Sequence, residues 1–248
     1  MGARAAYEER LGLAVETGDP VLKADAHYDL GFLSMVAQEG GRLREHEQLA
    51  LDLYTGAGRE DGAIRARQAL VLAVFLAADY PTALELEEHN LEAFRRIGSP
   101  FQVADSMTLL SAIHFRLGDP VTSWHRMAEG LRIFAANDNA SGLARGLGTA
   151  SIILLRYGDP EFGARVAGAT LELVREKAVM LAPVKVLHLP DPSDLAAERL
   201  GEERAAELLA AGAVVPRAEV VAEVLAAPPP PRPKPVEAMV ATEQRPQG

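Results

Sequence analysis

No cysteine occurs among the 248 residues. Disulfides and thiolate chemistry are therefore excluded, and a reducing compartment is the expectation. Aromatic residues are scarce at 5 %, with one Trp, although hydrophobic residues make up 48 % of the chain. A core built from small and aliphatic side chains suits closely packed helices better than a β-sandwich. Basic residues are also short, since 25 Lys and Arg face 35 Asp and Glu for a formal net charge of −10. A chain this acidic is a poor general ligand for nucleic acid or anionic membrane surfaces, so neither is expected as a direct partner. No apolar run nears the roughly 18 residues of a membrane span. The stretch from Met1 to Arg10 is charged and lacks the apolar core of a signal peptide, so a cytoplasmic location is expected.

Motifs that announce chemistry are missing as well. No glycine-rich phosphate loop closing on Gly-Lys-Ser/Thr is present. His46-Glu47 opens like a zinc-protease helix, but Ala50 stands where the second histidine ligand would be. The six histidines, His27, His46, His89, His114, His125 and His188, show no ligand spacing. Neither a metal nor another cofactor is expected.

What the chain does have is a repeat. Arg116-Leu117-Gly118-Asp119-Pro120 is followed about 40 residues later by Arg156-Tyr157-Gly158-Asp159-Pro160 and preceded at the same distance by Ala77-Ala78-Asp79-Tyr80-Pro81. In such a step the Gly closes one helix in the left-handed conformation, the Asp caps the next, and the Pro takes the first helical position. At the same interval Leu11, Leu51, Leu91, Leu131 and Leu171 fall in one column. Ala14, Tyr54, Phe94, Phe134 and Val174 form a second column on the same helical face. Leu30, Leu70, Leu110 and Ala150 form a third, beside the slim Gly31, Val71, Ser111 and Ser151.

A second set of breakers, Gly18, Gly58, Gly98 and Asp138, alternates with the first. The spacing leaves room for helices of roughly 14 to 17 residues joined by short turns, so each repeat is a helical hairpin. The expected fold class is all-α. A first helix over 3–17 is followed by helix pairs over about 21–56, 62–97, 101–136 and 141–177. Residues 178–227 read as a linker and capping helices: an extended stretch around Pro183, Pro190 and Pro192, a helix capped by Ser193 or Asp194 and running to about Ala211, and a short one opened by Pro216. Residues 228–248 read as a Pro-rich, disordered tail, either a plain linker or a segment for an aromatic groove.

Paired helices, small residues at the crossing and a Gly-Asp turn resemble tetratricopeptide repeats. The period of about 40 exceeds their usual 34, as in the longer-helix variety from bacterial LuxR-type and AfsR-type regulators and the predicted ATPases attached to class III adenylate cyclases. Phe162-Gly163-Ala164-Arg165-Val166-Ala167-Gly168-Ala169 resembles the helix that closes such arms, and Leu200-Gly201-Glu202-Glu203-Arg204-Ala205-Ala206-Glu207 through Val220 to Leu225 resembles their terminal hairpin. The resemblance spans about Ala3 to Ala226 and implies a right-handed superhelix of antiparallel helix pairs with a helical cap. It also implies a concave groove lined by the first helix of each pair. By column, the groove positions are Asp25, Tyr28, Arg65, Gln68, Asp105, Thr108 and Arg145, with Arg116 and Arg156 near the helix ends.

Two readings of those charges stand. They hold a peptide of matching charge, with Arg65 and Arg145 two repeats apart and Asp105 between them, or they pair with neighbours on adjacent helices. The implied function is a non-enzymatic interaction module, whose partner is a protein segment in the groove of a bacterial signalling or transcription-regulation system. The alternatives are a regulator arm sensing a small effector, or an enzyme with an unrecognised site such as His114 with Asp105.

Overall fold

A computed structural model describes residues 3–37, 39–177 and 189–232. Among these the secondary structure is all helical, with no strand. The chain divides into two compact units, Met1–Arg96 and Ile97–Gly248.

The first unit holds α1 (Ala3–Thr17), α2 (Pro20–Val36), α3 (Gly40–Gly56), α4 (Glu60–Leu76) and α5 (Tyr80–Ile97), the last residue of which belongs to the second unit. Consecutive helices α1 to α4 pack on one another. Local chemistry starts and stops them. Asp19 accepts from the amides of Val21 at 2.8 Å and Leu22 at 3.2 Å, and Pro20 occupies the first turn of α2. Between α4 and α5 the left-handed position falls on Ala78, with φ 59°, where a neighbouring repeat has glycine. The Asp79 amide still closes the turn on Val74 O at 2.9 Å. Leu30, Leu43, Tyr54, Leu70, Leu91 and Phe94 are buried, so both helices of each hairpin contribute an apolar stripe.

The second unit holds α6 (Pro100–Arg116), α7 (Pro120–Ala136), α8 (Ala140–Tyr157), α9 (Pro160–Lys177), α10 (Pro192–Leu200), α11 (Glu202–Ala213) and α12 (Arg217–Ala226). Gly118 has φ 76°, and Asp119 accepts from the Thr122 amide at 3.1 Å, so the Gly-Asp-Pro step is helix punctuation here. Gly158 departs from that pattern, with an extended backbone at φ −118°. Asp159 nonetheless receives the amides of Glu161 at 2.9 Å and Phe162 at 3.2 Å. In the slim column Ser111 and Ser123 exchange hydroxyl-to-carbonyl hydrogen bonds of 2.8 Å between α6 and α7. Leu131 and Phe134 are buried in the core of this unit, and so is Trp124.

Three expectations need correction. Leu171 sits in the buried Leu column by sequence but is 44 % exposed. Besides α8, the element most extensively packed on α9 is α11, and α9 meets it through Gly168 rather than Leu171. The cap of the linker-end helix is Asp191, which takes the Ser193 amide at 2.8 Å with Pro192 in the first turn. The helix expected to reach Ala211 is broken at Gly201, whose φ of 83° separates α10 from α11. The α9–α11 crossing is very close. A Cβ on Gly168 would stand 2.0 Å from Leu209 O, and one on Gly212 would stand 1.9 Å from Arg165 O. At the start of the proline run Pro230 is buried. Residues 178–188 of the linker and 233–248 of the tail lie outside the described residues.

Candidate functional site

In the first unit α2, α3 and α4 form an open cavity of about 350 Å³ lined by Tyr28, Phe32, Met35, Leu43, Glu47, Arg65, Gln68 and Ala69. Three sequence-predicted residues, Tyr28, Arg65 and Gln68, meet there. Tyr28 lies seven positions before Met35 on α2, and Phe32 falls between them, so helical periodicity alone sets this wall. The Arg65 guanidinium carbon sits 5.2 Å from the Tyr28 ring centroid, a cation–π contact that lays the side chain across the aromatic face. Burial pushes the Tyr28 phenol up, nearby Glu47 adds to this, and Arg65 opposes it.

Asp25, the fourth predicted residue of this unit, is engaged elsewhere. It accepts a 2.5 Å hydrogen bond from the buried Tyr54 hydroxyl, and Arg10 lies 3.8 Å from its other oxygen. Burial, then this bond, raises the Tyr54 phenol above its ordinary value. Asp29, one turn on, is paired with Arg10.

The residue that sequence reasoning missed is Glu47. It is 1 % exposed, and its Oε2 is buried without a hydrogen-bond partner. Its other oxygen lies so close to α2 that a Cβ on Gly31 would stand 2.2 Å from it. Burial raises the carboxyl from 4.5 to about 8, with the Asp29 charge adding to the push, so the acid is mostly neutral at pH 7. The sequence signal was available. Leu43, Ala50, Leu51 and Tyr54 mark the buried stripe of α3, and Glu47 interrupts it opposite a glycine.

His27 and His46 also meet, across the α2–α3 hairpin, with Nδ1 atoms 3.1 Å apart and ring centroids at 5.4 Å. Burial holds both imidazoles below their usual value, and for His27 the neighbouring His46 adds to this. A signal for the pair is in the sequence, because His27 and His46 each lie three positions from a buried leucine, Leu30 and Leu43, on the two helices of one hairpin.

In the second unit the predicted residues are spread along α6 and α8. Arg145 is paired with Asp105 and lies 5.4 Å from the Phe134 ring centroid. Burial raises the Asp105 carboxyl, and Arg145 opposes this. Thr108 donates within its own helix, to Ala104 O at 3.0 Å. Arg116 and Arg156 both act on the Tyr157 phenol, opposing the upward push of burial, and Phe115 meets the Tyr157 ring edge-on at 5.6 Å. His114 acts on Asp119 at the turn, whereas Arg145 is the charge that acts on Asp105. Among the described residues no group of three or more His, Cys, Asp or Glu is arranged to hold a metal ion. Among them, too, no helix is long and apolar enough to cross a membrane. No family model matches the chain, and no curated protein matches it.

Proposed function

We propose that the chain is a non-enzymatic, tetratricopeptide-like interaction module. Its helix pairs stack at a period of about 40 residues as a right-handed α-solenoid, and its first helices present a groove to a protein segment. The setting is a bacterial signalling or transcription-regulation system in the cytoplasm, without direct contact to nucleic acid or membrane. One observation carries the reading: Tyr28, Arg65 and Gln68, assigned to the groove by column, line one cavity with an apolar wall and an orphaned carboxyl. Binding surfaces combine these features, an apolar pocket with a few polar groups that fix orientation. In the second unit Asp105 and Arg145 satisfy each other.

The size of the cavity, about 350 Å³, also favours a second reading, a small effector bound in the same place. A photo-crosslinking residue at Gln68, compared with one at the exposed Asp52 on the outer face of α3, tests the proposal in the native host. A discrete protein adduct from position 68 and none from 52 is the expected outcome. Identical adducts from both positions, or none from either, would refute the protein-segment reading. Native mass spectrometry of the full chain tests the effector reading, which requires a bound mass that denaturation removes.

A further inference from the structure

Glu47 is an anomaly of construction. An acid in an otherwise apolar stripe costs free energy to bury, and a leucine there would pack at no such cost. Even so, α2 carries a glycine at position 31, where any Cβ would collide with the Glu47 carboxyl at 2.2 Å. Among the described residues no cation is paired with the acid. Arg65, a cationic side chain lining the cavity, lies over the Tyr28 ring, and its charge acts on Tyr28, Asp29 and Tyr54. The groups around the carboxyl make a cation still more welcome. Asp29 on α2 adds negative charge, and the chain carries a net −10. The remaining wall, Phe32, Met35, Leu43 and Ala69, is apolar and suits a short methylene chain.

We infer that this cavity is a site for an aliphatic primary ammonium, its methylenes against Phe32, Met35 and Leu43 and its charged head on Glu47. The inference rests on the reading of this cavity as the binding surface and names its ligand chemistry. A lysine side chain of a bound segment supplies that chemistry, and so does a free alkylamine. When the ammonium docks, neutral Glu47 gives its proton to solvent and becomes the carboxylate of an ion pair. One proton is therefore released per ligand while Glu47 starts neutral. The charged or titratable groups facing it are Tyr28 and Asp29 from α2 and Arg65 from α4. Asp29 is already held by Arg10 of α1.

The test uses the full chain, labelled for amide NMR, and three five-carbon probes with different heads: n-pentylammonium, n-pentanol and pentanoate. Pentylammonium is expected to shift the amides of Gly31, Glu47 and Gln68 and to bind at least tenfold more tightly than pentanol or pentanoate. Glu47→Gln removes that preference. Gln68→Glu, an exposed change at the rim, strengthens pentylammonium binding several-fold relative to pentanol. This second variant keeps the test decisive if Glu47→Gln misfolds. Capped Ala-Lys-Ala peptide and its ε-acetylated form then separate the sources. Binding by the first peptide alone assigns the site to lysine, and binding by pentylammonium but neither peptide assigns it to a free amine. Pentanol or pentanoate binding as tightly as pentylammonium overturns the ammonium inference and leaves the cavity as a binding surface. If no probe perturbs these amides, the cavity is not a binding surface and both readings fall.

Discussion

Glu47 should make the stability of this protein fall as pH rises. Its carboxyl titrates near 4.5 when unfolded and at about 8 when folded. Between those values the folded state holds a proton that the unfolded state has released, so unfolding becomes easier with each pH unit. The slope is about 1.4 kcal/mol per unit, giving a loss of about 3 kcal/mol between pH 4.5 and 7 and about 5 kcal/mol above pH 8. That is a large share of the roughly 5–15 kcal/mol that holds a domain together. Other groups titrate in the same window. His27 and His46 have the opposite sign, since burial holds both imidazoles low and stability falls as pH drops below 6.5. The informative quantity is therefore the difference between wild type and Glu47→Gln, measured by urea denaturation at pH 5, 6, 7 and 8. Glutamine adds a constant offset from its amide, but its contribution is flat with pH. The variant is expected to gain on the wild type by about 1 kcal/mol or more per unit up to pH 8. Parallel stability curves would refute the reasoning, because they would mean that Glu47 ionises at its ordinary value in the folded protein.

Three further outcomes follow from the packing. Ala78→Gly should raise stability by roughly 0.5–1 kcal/mol, since the native φ of 59° strains an alanine more than a glycine, and a lower denaturation midpoint would contradict this. Gly168→Ala should cost about 1–3 kcal/mol or more, because the new methyl meets the Leu209 carbonyl of α11 and no side chain can yield to it; an unchanged melting curve would show that α9 and α11 do not touch there. Leu131→Ala should cost about 2–5 kcal/mol at a fully buried site, and a change below about 1 kcal/mol in a reversible titration would mean the helix phase is wrong.

The all-helical class was legible because its signals are local. A Gly-Asp-Pro step fixes a backbone break within a few residues, and Asp19, Asp119 and Asp159 each accept the amides that a helix start leaves open. Burial of Leu91, Phe94, Leu131 and Phe134 was equally readable, since periodic apolar residues have one face to bury. Leu171 escaped the pattern because its exposure depends on what packs against α9, and that element lies about 30 residues away in sequence. Gly201 stood in plain view, but a helical composition on both sides concealed the break that its φ makes. At the site, column arithmetic brought Tyr28, Arg65 and Gln68 to one cavity. Glu47 was noticed only as part of a failed zinc motif. Its meaning lies in Gly31 across the hairpin, and no pattern within α3 contains that residue.

The same arithmetic could not separate charges that are spent from charges that are not. Asp105 and Arg145 share a column with Asp25 and Arg65, and a sequence treats the four alike. In the second unit the acid and the base meet, and each supplies the partner that burial of the other demands. In the first unit the acid finds a tyrosine hydroxyl, the base finds an aromatic face, and a different carboxyl, the buried Glu47, is without a partner. An incoming charge gains least where the pairing is complete, because it must displace a partner already in place. It gains most where burial has left a group wanting one. For that reason the acidic–basic alternation by itself points to no ligand, while the buried, unpaired Glu47 points to a cation.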